Sequence, residues 1–222
     1  LFSFAAAAVL LVAAEPIMTM MMPGFGPTAA SQYGTVLAAL MLGLPSIGLN
    51  LMSQRVFFAL ENAKPVFLIG IAPMVLQLIV GWGIYFATEA EWWTVGAAAG
   101  ETAARLLQGF VSVIWVAVVV RQINARRVLA HYVKYFIAFA VSATVGWAVN
   151  HFLLPEPTTV STSLRFFDGM WQAVVLALVV GLTYFAVLRI VDPQGFNASA
   201  QAVLARLRPH PKQSEEELEE LE

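Results

Sequence analysis

Six stretches of this sequence are each long and apolar enough to cross a bilayer: residues 2–22, 31–60, 65–87, 92–122, 131–154 and 164–191. A spanning helix needs about 20 mostly apolar residues. Lipid offers the backbone no hydrogen bonds, so only helices and closed barrels can span it. Repeated short strands of alternating pattern are absent, which excludes a barrel. Turn chemistry separates the stretches: PGFGP (23–27), Asn62 to Pro65, TEAE (88–91), Asn124 to Arg127 and PEPTTVSTS (155–163). Asp192-Pro193 ends the sixth, and no internal repeat is evident. The expected fold is an all-α integral membrane protein with six transmembrane helices. Of the residues, 59% are hydrophobic and 12% charged, against roughly 45–50% and about 25% in soluble domains. That balance excludes a soluble domain, a disordered chain and a nucleic-acid binder.

The few charges orient the spans. Arg55, Lys64, Arg121, Arg126, Arg127, Lys134, Arg189, Arg206, Arg208 and Lys212 fall on one side, and Arg165 alone falls on the other. By the positive-inside rule both termini are cytoplasmic. Trp82, Tyr85, Trp92 and Trp93 then mark the outer interface, and Tyr132 and Tyr135 the inner one. The expected organisation is a transmembrane lobe (1–192) and a cytoplasmic tail (193–222). In the tail Phe196, Ala200, Val203, Leu204 and Leu207 recur at helical spacing. They read either as a short amphipathic helix on the inner surface or as a loosely ordered segment. Six of the 14 acidic residues crowd into Glu215–Glu222, and like charges so close favour disorder. No basic region precedes the first apolar stretch, which argues against a signal peptide. The missing initiator Met suggests a fragment or a trimmed chain.

Ionisable side chains inside a span cost about 2.5–3.5 kcal/mol each even on the lenient scale, so each needs a partner, water or a task. In the fourth stretch Glu101 and Arg105 are four residues apart and share a face. Gln108 and Ser112 continue it. Arg105 stands roughly 20 Å from the outer end at 1.5 Å per residue, near mid-membrane. Two readings fit: the wall of a hydrated cavity, or an ion pair that ties this helix to its neighbours. Gly96 and Gly100 read as a packing face. In the second stretch Pro45, flanked by Gly43 and Gly48, predicts a bend, followed by Asn50, Gln54 and Arg55. Arg55 reads equally as snorkelling to headgroups. The third stretch has Pro73, with Gln77 beyond it. Both prolines are candidate hinges. Glu15, before Pro16, reads as a vestibule or interfacial carboxylate.

Enzyme patterns are missing. There is no HExxH, GxSxG or GxxxxGK[ST], and with no Cys no thiolate chemistry. His131, His151 and His210 stand apart and read as structural. Neither a catalytic residue nor a metal site nor a cofactor is expected.

AEPIMTMMMPGFGP followed by GLPSIGLNLMSQRVFFALENAKP resembles the lipid II flippase family (MurJ/MviN), within the multidrug/oligosaccharidyl-lipid/polysaccharide exporter superfamily. The positions carrying the resemblance are Ala14, Glu15, Pro16, Ile17, Gly24, Phe25, Arg55, Phe57, Phe58, Ala59, Leu60, Lys64 and Pro65. It implies a fourteen-helix fold of which this chain is the last six helices, with an N-terminal lobe absent from this sequence. That lobe holds much of the family's cationic cavity. Gln77 stands where relatives often carry Asn or Asp. The resemblance further implies a bacterial plasma-membrane flippase for an undecaprenyl-pyrophosphate-linked precursor, working by alternating access. Its transport would be coupled to an ion or to the membrane potential. Glu101, Arg105 and Gln108 are then candidate cavity residues, and Asn50, Gln54 and Arg55 further ones. Two alternatives stay open: an exporter of another lipid-linked oligosaccharide or drug, and a non-transporting scaffold subunit.

Overall fold

The computed structural model describes residues 1–61, 64–120, 125–154 and 161–207. Among these the chain forms α-helices and one 3₁₀ turn, with no strand. The helices are α1 (Phe2–Val12), α2 (Ala14–Met21), α3 (Pro27–Met41), α4 (Leu44–Ala59) and α5 (Lys64–Ala87). The 3₁₀ turn Ala90–Trp92 leads into α6 (Trp93–Val120), followed by α7 (Ala125–Phe152), α8 (Thr162–Val191) and α9 (Pro193–Leu207). Five spans are long and apolar enough to cross a membrane, and α1 with α2 makes a sixth if the pair counts as one.

Two of the expected single helices are broken. The first bends by 67° between α1 and α2, pivoting on Ala13 at φ −88°, ψ 10°. Pro16 has no amide hydrogen, so the Val12 carbonyl loses its i+4 donor. Close packing holds the bend. A Cβ on Gly34 of α3 would stand 2.9 Å from Glu15 Cα, and one on Gly169 of α8 would stand 2.7 Å from the Pro16 carbonyl oxygen. The second span starts earlier than expected, with Pro27 in the first turn, and breaks at Leu42–Gly43. Pro45 again explains it, by removing the donor to Met41. By contrast α5 runs unbroken through Pro73, where the ring is tolerated inside one continuous helix.

Two clusters form the core. Phe4, Ala7 and Ala8 of α1 pack on Ala138 and Phe139 of α7 and on Val180, Tyr184 and Leu188 of α8. Phe57, Ile69 and Val116 join α4, α5 and α6. The start of α1 meets the start of α7 and the end of α8, since Phe4 packs on Tyr132 and the Tyr184 hydroxyl donates to the Leu1 carbonyl. This matches one membrane face for all three ends. Large apolar side chains stand exposed along every long span, as lipid-facing surfaces do.

Beyond the last span α9 is helical, and its Phe196 ring lies 6.3 Å from Phe185. The acidic end lies outside the described residues. At the α8–α9 joint the buried Asp192 accepts from Lys134 Nζ at 3.2 Å and has His131 Nδ1 at 3.0 Å. Burial pushes the Asp192 carboxyl up; the bonds from Lys134 and His131 outweigh it and hold the carboxyl below its ordinary value.

Candidate functional site

The polar stripe of α6 follows from helix geometry, since residues at i, i+4, i+7 and i+11 lie on one face. Its members are bonded in sequence. Arg105 Nε donates to Glu101 Oε1 at 2.7 Å, and Arg105 Nη1 to Gln108 Oε1 at 3.3 Å. Gln108 Nε2 reaches the Ile69 carbonyl of α5 at 3.5 Å. Ser112 Oγ donates to the Gln108 carbonyl at 2.6 Å and lies 3.1 Å from Asn50 Oδ1 of α4. One continuous network thus ties α6 to both neighbours.

Exposure divides this network in two. The Arg105 and Glu101 side chains are 44% and 23% exposed. Gln108, Ser112 and Asn50 are buried. Helix packing closes the lower half, because a Cβ on Gly109 would stand 2.8 Å from Ser46 Cβ. Of the five N–H donors on a guanidinium, Arg105 commits one to Glu101 and one to Gln108. The open side of the planar guanidinium can take a further anion, and Arg suits phosphate oxygens. Glu101 keeps the charge of the pair balanced within the membrane.

The other expected residues fall elsewhere. Gln54 is half-buried and Arg55 exposed near the end of α4, and neither joins the network. Pro45 is buried at the head of α4, beside the break, and Pro73 is buried within α5. Gln77 is exposed and lines a groove of about 590 Å³ with Gly81, Tyr85 and Ala97. Glu15 lines a cavity of about 540 Å³ at the α1–α2 bend, with Ser31, Thr35 and Asn150. An apolar cleft of about 270 Å³ lies between α6 and α7, lined by Leu42, Leu106, Phe110, Leu129 and Phe136.

Thr102 escaped the sequence reading. It is buried, and its hydroxyl donates to the Ala39 carbonyl of α3 at 2.6 Å. A lone threonine beside a Glu–Arg pair carries no signal by itself. The Gly43–Pro45 bend was the available clue, because a helix break always frees carbonyls.

Residues 1–188 match the model of one protein family, described as Lipid II flippase MurJ. Searches of curated proteins and of solved structures return no match.

Proposed function

This chain belongs to the lipid II flippase MurJ family, and on that premise we propose that Arg105 contacts the pyrophosphate of lipid II as it crosses the membrane. The family's members flip this lipid-linked peptidoglycan precursor across the bacterial inner membrane, and they are transporters, not catalysts. The chain supplies one lobe of an alternating-access transporter, facing a second lobe across a hydrated cavity. The observation that carries this reading is the half-open guanidinium, balanced by Glu101 and with most of its donors uncommitted. The apolar cleft between α6 and α7 suits a substrate that is part lipid. Gln54 and Arg55 stand toward the cytoplasmic end, where the headgroup enters. The breaks around Gly43–Pro45 and the ring of Pro73 serve as hinges. Ion or membrane-potential coupling drives the cycle, and α9 lies along the inner surface.

A second role fits the buried half of the stripe. Gln108, Ser112 and Asn50 have no open side, so they hold α4, α5 and α6 together as interhelical hydrogen bonds do.

Complementation in a strain that depends on the full-length flippase tests the reading. Arg105→Ala and Glu101→Ala are expected to abolish or strongly slow lipid II export at normal protein levels. Normal export by both variants sinks the assignment of the α6 pair.

A further inference from the structure

The α3–α4 break leaves the Ala39 carbonyl without its helical donor, and α6 supplies another. In an unbroken helix the Gly43 amide donates to the Ala39 carbonyl. Here it turns to the Leu40 carbonyl at 3.1 Å. The Ala39 oxygen instead accepts the Thr102 hydroxyl at 2.6 Å. Thr102 is 7% exposed, so water does not compete for this bond. Gly43 makes the approach close: a Cβ there would stand 3.3 Å from Arg105 Cβ and 3.5 Å from Thr102 Cα. The break therefore sits directly against the turn of α6 that carries the guanidinium.

We propose that Thr102 is a positioning residue for transport: its bond to the stranded Ala39 carbonyl locks the break of the second span against α6 and fixes where Arg105 stands. The proposal rests on the reading of Arg105 given above. A carbonyl within the hydrocarbon region has no solvent partner to fall back on. While the bond holds, the break cannot slide along α6. Without it, the break is free to shift, and Arg105 moves with the surface it packs on. Thr102 itself touches no substrate.

The experiment uses the full-length flippase reconstituted in vesicles, with translocation measured against lipid II density. Thr102→Val keeps the side-chain shape and removes the hydroxyl. It is expected to raise the half-saturating density about three- to ten-fold, the range of one net hydrogen bond, with a much smaller change in maximal rate. Thr102→Ser restores the normal value. In an Arg105→Gln background, Thr102→Val adds nothing further, because both act through the same group. If Thr102→Val does not fold, Thr102→Ala carries the same expectation. A purely structural Thr102 would lower the melting temperature and leave half-saturation unmoved, which overturns the proposal. Altered half-saturation in Arg105→Gln with a normal Thr102→Val also overturns it, while the Arg105 reading stands. Normal half-saturation in Arg105→Gln overturns both.

Discussion

Arg105 shows why a charge inside a membrane must be read together with its compensator. Removing one partner of such a pair leaves the other unbalanced, and that is worse than removing both. Glu101→Gln is therefore expected to melt at a lower temperature than Glu101→Gln/Arg105→Gln, measured by thermal unfolding in one detergent. The glycines give a second contrast at this scale. Gly169→Ala drives a Cβ to 2.7 Å from the Pro16 oxygen and 2.9 Å from the Met20 nitrogen, both rigid backbone. Overpacking of that kind costs about 1–3 kcal/mol. Gly181→Ala meets nothing within 4 Å, and its melting temperature is expected to hold or rise. Helical arithmetic made the stripe legible, because the spacing 101, 105, 108, 112 is visible in letters. Thr102 was illegible for the opposite reason. Its partner is a backbone oxygen that no letter names, on a helix whose packing against α6 had to be seen.

The elements show where apolar patterning stops being informative. Hydropathy marks residues 2–22 and 31–60 as continuous, yet each holds a proline that deprives a carbonyl of its donor. Pro45 was readable as a bend, since two glycines flank it. Pro16 stood in a Glu-Pro-Ile run whose bend depends on glycines far along the chain. Restoring the amide with Pro16→Ala is expected to relax the 67° bend and lengthen the distance between spin labels placed on α1 and α2. An unchanged distance means that Gly34 and Gly169 alone hold the bend. The α8–α9 joint has its own signature in pH. Because the folded Asp192 carboxyl titrates below its ordinary value, its contribution is complete above that ordinary value. It is lost as pH falls through the folded value. Asp192→Asn is thus expected to melt lower than the parent at pH 7, with the gap closing as pH falls below the usual carboxylate range.

At the scale of the molecule, two clusters share the work. One joins α1, α7 and α8, and the other joins α4, α5 and α6. The second span bridges them, packing α3 and α4 on α1 and on α6. The fold class and the apolar spans were legible, because they depend on composition. The pairing of helices was not, since it depends on where small residues let backbones approach. The sidedness predicts labelling. A cysteine introduced by Glu61→Cys should react only with reagent supplied from the cytoplasm, and one introduced by Thr88→Cys only from outside. The reverse pattern inverts the topology.

The bend of the first span also constrains the order in which the protein is made. Neither α1, with 11 residues, nor α2, with 8, is long enough to cross a bilayer alone, so the pair must enter the membrane as one segment. Gly169, which receives the Pro16 carbonyl, lies more than 150 residues later in the chain. The ribosome delivers it only with the last span. The first span is therefore fully packed only after α8 arrives.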